Sequence, residues 1–248
     1  NPLPYLRILK MRLVEWNCRM AFHKKLWLLE KLGADLAVIP ECSENAIPPS
    51  DEFISFLWKG HNPKKGLGII AFNEWQLQLR DDLESLPWVI PFKAWHPEGL
   101  EFNALAVWTV ENKSVSDLSY AKQITRLINT YSKEIKSENL SIIGDFNTSI
   151  QGPSKGPHQE NLQLLDSLNL FSAYHTLNGL NHGEEKEMTL KWIGPGKKEY
   201  LYHCDFIFLP KKILNGGMSF IYELWSGEHT KLSDHQPVVV DIQDMSLQ

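Results

Sequence analysis

The feature that most constrains this chain is a strand, a helix and a second strand in immediate succession near its start, a theme that returns in its second half. The alternating, Val/Leu/Ile-rich stretch from Tyr5 to Cys18 predicts a strand, with Leu6, Ile8, Met11, Leu13 and Val14 sampling one face. Ala21 to Leu32 carries Phe22, Leu26, Leu29 and Leu32 at helical spacing and stops at Gly33, after which Leu36-Ala-Val-Ile-Pro40 reads as a short strand. A helical crossover of this length lets the two strands pair in parallel, with the helix covering one face of the sheet.

Between Pro49 and Val110 the pattern changes to short apolar runs: Phe53 to Trp58, Gly68 to Phe72, Trp75 to Leu79, Trp88 to Trp95 and Phe102 to Thr109. These predict antiparallel strands. The segments Lys59 to Gly66 and Lys93 to Gly99, rich in Gly, Pro, Lys and His, predict the loops between them. A helix is expected from about Asp117 to Lys136, capped at Ser116-Asp117, because Leu118, Ala121, Ile124, Leu127, Ile128 and Tyr131 recur every three or four residues. The second half adds a strand at Leu140 to Ile143, a helix at Gln159 to Leu168, and strands near Phe171, Leu190, Tyr202 to Leu209, Ser219 to Trp225 and Val238 to Ile242. No internal repeat or low-complexity linker divides the 248 residues, which are read as one domain with 1–10 as an extension outside its core. Half-buried strands in this number are satisfied by two sheets packed face to face with helices outside, an α/β sandwich.

Hydrophobic residues at 43% and charged residues at 22% exclude a disordered or collagen-like chain. A net charge of −5 means that any phosphate-binding surface must be local. Three cysteines, Cys18, Cys42 and Cys204, are too few and odd in number for a disulfide framework, and suggest a reducing compartment. No apolar run approaches the ~18 residues of a membrane span, and Asn1-Pro-Leu-Pro4 lacks the layout of a signal peptide, so a cytoplasmic location is expected.

Polar residues stand at the ends of these apolar strands: Asn17, Glu41, Asp145 with Asn147, Asp205, and Asp234 with His235. One alone reads as a turn or helix cap. Together they predict a site, because strands lying side by side bring their ends to one rim, where mixed and parallel sheets place ligands.

The ordered motifs Trp16-Asn17, Pro40-Glu41, Gly66-Leu-Gly-Ile-Ile70, Gly144-Asp-Phe-Asn147, Tyr202-His-Cys-Asp-Phe206 and Ser233-Asp-His235 resemble those of the endonuclease/exonuclease/phosphatase superfamily over nearly the whole chain. That group includes apurinic endonucleases, exonuclease-III-like enzymes, pancreatic-type DNases, neutral sphingomyelinases and inositol polyphosphate 5-phosphatases. The resemblance implies a four-layered α/β sandwich and a phosphodiesterase dependent on Mg²⁺, with Mn²⁺ as a substitute, that hydrolyses nucleic acid by in-line attack of water. It implies that Glu41 binds the metal with help from Asn17 and support from Asp234, that Asp145 activates the water, and that Asn147 donates to phosphoryl oxygens. His235 would stabilise transition-state charge, oriented by Asp205.

Other residues are assigned to the substrate. Arg19 stands where relatives place glycine or an acidic residue, and Trp108 where they place His or Tyr, so both are candidates for substrate contact. His203 belongs to the Tyr-His-x-Asp motif, and strand alternation would put it on the face of Asp205. Lys64 and Lys65, with Arg19, Lys59, Lys93, Lys155, Lys197 and Lys198, could ring a nucleic acid, and Trp95 in its Pro/Gly loop is the expected exposed stacker. The cysteines beside motif residues raise a zinc site as an alternative, but strand neighbours point to opposite faces, so the thiols should turn into the core. Two rival readings stand: a lipid or small-molecule phosphoesterase of the same fold, and a catalytically silent binding module.

Overall fold

The structure is a computed structural model that describes residues 10–47 and 54–243. Six strands form one sheet in the order β13-β14-β1-β2-β4-β3. They are β1 (Met11–Glu15), β2 (Leu36–Cys42), β3 (Ser55–Asn62), β4 (Lys65–Ala71), β13 (Met218–Ile221) and β14 (Val238–Ile242). A second six-stranded sheet has the order β5-β6-β7-β8-β12-β9. Its members are β5 (Gln76–Leu79), β6 (Val89–His96), β7 (Leu100–Trp108), β8 (Ser141–Asp145), β9 (Leu170–Ser172) and β12 (Asp205–Pro210). A separate hairpin pairs β10 (Leu190–Ile193) with β11 (Glu199–Tyr202). The helices are α1 (Leu26–Leu32), α2 (Tyr120–Thr130), α3 (Ser132–Glu138), α4 (Lys155–Ser167) and α5 (Ala173–Asn178).

Both sheets are mixed, since β1 and β2 pair in parallel, as do β7 and β8, while every other pairing within them among the described residues is antiparallel. Period-two alternation sorts the apolar side chains into layers. Leu13, Val38, Ile69, Val238 and Val240 of the first sheet meet Phe92, Ala104, Ile143, Ile207 and Leu209 of the second in the central core. On the outer face of the first sheet, Val14, Ala37, Ile39, Ile70 and Val239 pack on Leu28, Leu29 and Leu32 of α1. On the outer face of the second, Leu105, Val107, Ile142, Phe206 and Phe208 pack on Ile124, Leu127 and Ile128 of α2 and Leu165 of α4. This is the expected four-layered α/β sandwich. Among the described residues no helix is long and apolar enough to cross a membrane.

The differences from the sequence reading lie at element ends and in the loops. The first strand runs only from Met11 to Glu15, and the part predicted before residue 10 falls outside the described residues, as do Phe53 and most of the 1–10 extension. The first helix begins at Leu26, because Arg19, Met20 and Ala21 take left-handed backbone (φ 51°, 66° and 50°) and a short 3₁₀ turn precedes it. The predicted loop Lys59 to Gly66 is a β3–β4 hairpin, with Asn62 paired to Lys65 across its tip. The second predicted loop is shorter than expected, since β6 continues through His96. The long helix breaks at Tyr131 into α2 and α3 and starts at Tyr120. Tyr202 to Leu209 is not one strand, because residues 203–204 leave the ladder between β11 and β12.

Candidate active site

The site follows from register and alternation. Asp205 of β12 lies directly opposite Asp145 of β8, and their inward-facing strand neighbours Ile207 and Ile143 line the central core. Glu15 shares the face of Met11 and Leu13 on β1 and so also points between the sheets. Glu15, Asp145 and Asp205 are fully buried, three carboxyl groups at one end of the sandwich. Like charges placed opposite one another in low dielectric resist joint ionisation. Burial first, and then the Asp205 and Asp145 carboxylates, raise the pKa of Glu15 well above the usual carboxylate range. No hydrogen bond of ordinary geometry satisfies its oxygens, which fits a neutral acid. Burial and Asp205 likewise raise Asp145, against the pull of His235 and the Asn17 amide.

Asp145 is held on three sides. Asn17 Nδ2 donates to its Oδ2 at 3.0 Å, Asn147 N to its Oδ1 at 2.9 Å and Asn147 Nδ2 to its Oδ2 at 3.0 Å. Asn147 adopts left-handed backbone (φ 49°), which Asn tolerates better than most residues, and this turns its amide back over Asp145. Its second amide hydrogen goes to the Thr109 carbonyl at 3.1 Å. Both donors of that amide are thus engaged within the protein, rather than free for a phosphoryl group. Gly144 explains the first letter of the motif: a Cβ there would lie 1.8 Å from the Val107 carbonyl oxygen on the parallel neighbour β7. Gly144→Ala is therefore expected to destabilise the fold by about 2 kcal/mol or more, seen as a lower urea midpoint. An unchanged midpoint would mean that β7 and β8 are not packed this closely.

His235 approaches from the first sheet. Its Nδ1 lies 3.0 and 2.9 Å from the two oxygens of Asp205. Ser233 Oγ donates to the Asn17 carbonyl at 2.7 Å and accepts from His235 N at 3.0 Å, while Trp16 Nε1 donates to the His235 carbonyl at 3.1 Å. The Trp-Asn and Ser-x-His motifs are thereby joined. Burial alone would lower the His235 pKa, but the Asp205 carboxylate outweighs it and raises the imidazole to about 10. Thr189 Oγ1 accepts from Cys204 N at 3.0 Å and Asp205 N at 3.2 Å, fixing the start of β12.

Glu41 sits where β2 bulges between Pro40 and Cys42, with φ of 62°, a strained conformation for a non-glycine residue. Its Oε1 lies 3.4 Å from Asn17 Nδ2 and 3.2 Å from Lys65 Nζ. Lys65 also stands over the Trp108 ring at 5.5 Å. Glu41, Lys65, Trp108, Tyr120 and Asn147 line a cleft of about 360 Å³ that opens beside Asp145. Arg19 is mostly exposed, with its Nε 3.7 Å from Asp234 Oδ2.

Several expected substrate residues lie elsewhere. Trp95 is paired with Glu101 near the end of the β6–β7 hairpin opposite to Trp108, and Lys93 on the same strand pairs with Glu101. Lys59 does line the cleft beside Glu41, but its Nζ is tied to Ser85 Oγ and the carbonyls of Leu86 and Val89. Lys64 is exposed at the β3–β4 tip. His203, in the break between β11 and β12, escapes the alternation assumed for it and packs against Tyr174, His175 and Phe206. For the same reason Cys204 does not turn away from the site: its Sγ is 3.5 Å from Asp205 Oδ2. Its thiol, Asp145, Asp205 and His235 offer ligand atoms within 4.8 Å of one another. All three cysteines are buried and free. Sequence reasoning missed Glu15, although a glutamate on the apolar side of Met11 and Leu13 was the signal, and it missed Thr109 and Thr189, whose hydroxyls carry no sequence signature.

No family model matches the sequence, and no curated protein matches it. Solved structures do. An AP endonuclease from Archaeoglobus fulgidus superposes with a TM-score of 0.67 at 14% identity, covering 93% of this chain and 98% of that one. The 3' phosphatase NExo from Neisseria, bound to a product DNA hairpin, gives 0.64 at 17% identity over 93% and 98% of the two chains. The endonuclease domain of TRAS1, a telomere-specific non-LTR retrotransposon, gives 0.64 at 19% identity over 94% and 98%. With two mixed sheets in this order and these polar strand ends at one rim, the chain has the endonuclease/exonuclease/phosphatase fold.

Proposed function

We propose that this protein is a divalent-metal-dependent phosphodiesterase that hydrolyses nucleic acid by in-line attack of water. The observation that carries this reading is the buried Asp145, held by Asn17 and Asn147 and set beside an Asp205–His235 pair. A buried carboxyl group beside an imidazole whose proton is held by a carboxylate partner supplies a base and a proton donor in one site.

The residues around Glu41 fit a hard cation. Glu41 offers a carboxylate oxygen, the type that Mg²⁺ or Mn²⁺ prefers, while Asn17 turns its Nδ2 to that carboxylate and its Oδ1 to Arg19 N, and the Lys65 ammonium 3.2 Å from Glu41 marks a place where positive charge is accommodated. Glu41, its carboxylate oriented by Asn17 Nδ2, would hold the ion, which when bound would polarise a phosphoryl oxygen and offset its charge. Asp234 faces Arg19, so its part is to position that cation at the rim. Asp145 orients and deprotonates the attacking water, with Asn17 and Asn147 fixing its two oxygens. His235, charged and held through Nδ1 by Asp205, presents Nε2 as the donor to a nonbridging oxygen. Asn147 acts by holding Asp145.

The β10–β11 hairpin supports a polymeric substrate. It joins the site through the Leu190–His235 bridge and the Lys191 N to Asp234 carbonyl bond of 2.9 Å. It exposes Trp192, Ile193 and Leu201, with Trp192 against Tyr200 and Lys198 over the Tyr200 ring at 5.0 Å. Exposed aromatics interleaved with lysines suit stacked bases and a phosphate backbone. Trp192 is thus the stacker in place of Trp95. Three buried free thiols accord with a cytoplasmic location.

The test is a panel of single- and double-stranded DNA, abasic duplex, RNA, sphingomyelin and inositol phosphates, assayed with Mg²⁺, Mn²⁺ or EDTA. Nucleic-acid cleavage is expected, weakening as salt rises. Lys191→Glu with Lys198→Glu should raise KM more than it lowers kcat and make the log–log salt slope shallower by about 2, one for each lost phosphate contact. Hydrolysis of a lipid or inositol phosphate alone would replace the nuclease reading with its small-substrate rival. Failure to hydrolyse any of them would favour the silent binding module.

A further inference from the structure

A second cluster of ligating groups lies outside this site. It comes from His175 of α5, from His182 and Glu185 in the irregular segment before β10, and from His203. His175 Nε2 is 2.9 Å from Glu185 Oε1, and the His175 and His182 rings stack with centroids 3.7 Å apart. Ligand atoms of His175, His182 and Glu185 all lie within 4.8 Å of one another. The His203 ring stands edge-on to His175 at 5.1 Å.

The outer hydrogen bonds are those of metal ligands. His175 Nδ1 is held by Ser172 Oγ at 2.7 Å, leaving Nε2 toward Glu185. His203 Nδ1 faces the Glu187 carbonyl at 3.3 Å, a group that only accepts, so the proton sits on Nδ1 and Nε2 carries a lone pair. Glu185 takes Gln151 Nε2 at 2.7 Å on its Oε2, while Gly183 N donates to both oxygens. Two ring nitrogens remain without partners: His182 Nδ1 and His203 Nε2 are buried and make no hydrogen bond, and His203 is only 1% exposed. Orphaned nitrogens are costly in a core, and a cation at this cluster would supply a partner that the protein itself does not.

We propose that His175, His182 and Glu185 bind one transition-metal ion of the Zn²⁺ class, with His203 as the neighbouring nitrogen from which a fourth ligand comes. Two imidazoles and a carboxylate form a nitrogen-rich set that selects Zn²⁺ over Mg²⁺, unlike the oxygen set around Glu41. The ion is structural. It ties α5 to the segment 179–189, which ends at Thr189, whose hydroxyl receives the Cys204 and Asp205 amides.

The test is metal content after chelator treatment, reloading with Zn²⁺ and dialysis against millimolar Mg²⁺. Wild-type protein is expected to retain one Zn²⁺ per chain and to melt at higher temperature when loaded. His182→Ala should lose the ion and the thermal shift. Glu185→Gln, nearly isosteric, should weaken Zn²⁺ binding at least tenfold and serves if His182→Ala fails to fold. His235→Ala should retain the ion. No stoichiometric Zn²⁺ in the wild type, or retention in His182→Ala, would overturn the proposal. So would loss in His235→Ala with retention in Glu185→Gln, because the ion would then belong to the thiol and carboxylates beside Asp145.

Discussion

Asp145→Asn is expected to lower turnover by at least about a hundredfold while leaving the fold intact, because the amide cannot take the water's proton yet keeps one oxygen for the surrounding donors. His235→Ala should cost a similar factor, through loss of a charged donor to the transition state. Both act in one step, so the double variant should lose less than the product of the two. Substrate affinity should move less than kcat. The pH profile separates the roles. His235 is raised to about 10, so its proton is kept through neutral pH and lost as pH rises through that value. The alkaline limb of activity should therefore fall near there in the wild type, and Asp205→Asn should move it down toward the ordinary imidazole value of about 6.5. Near-normal turnover in Asp145→Asn, or an alkaline limb indifferent to Asp205, would remove these residues from the chemistry.

The second large effect is metal removal. EDTA should abolish hydrolysis and added Mg²⁺ or Mn²⁺ should restore it. Glu41→Gln should raise the Mg²⁺ concentration needed for half-maximal rate by at least tenfold, since altering even an outer partner of a ligand costs about 10- to 100-fold. Excess Mg²⁺ should recover part of the rate in Glu41→Gln but not in Asp145→Asn, which separates loss of the ion from loss of the base. Full wild-type activity in EDTA would contradict the metal assignment.

The fold was largely legible because its strands alternate cleanly between two apolar environments. Val238 to Ile242 reads as a strand from sequence and is one, with Val238, Val240 and Ile242 in the central core and Val239 outside. The polar strand ends were legible for the same reason, since a carboxylate closing an apolar run stands out. Geometry without regular alternation was not. The bulge that turns Glu41, the break at residues 203–204 that reassigns His203 and Cys204, and the left-handed turn at Arg19 all depend on backbone conformations that side-chain periodicity does not encode. Lys59 to Gly66 looked like a loop because Gly, Pro and Lys are turn residues, yet Gly66 is required for contact: a Cβ there would meet the Trp58 ring at 2.4 Å. The histidine cluster was hidden because its members lie far apart in the chain and meet only through tertiary packing.

The most direct measurement compares purified wild type and Asp145→Asn for cleavage of labelled single- and double-stranded DNA, abasic duplex and RNA in Mg²⁺, prepared and assayed in parallel. Cleavage by the wild type that falls at least about a hundredfold in the variant is the result predicted here. Equal cleavage by both preparations, or none by a folded wild type in Mg²⁺ or Mn²⁺, would contradict it.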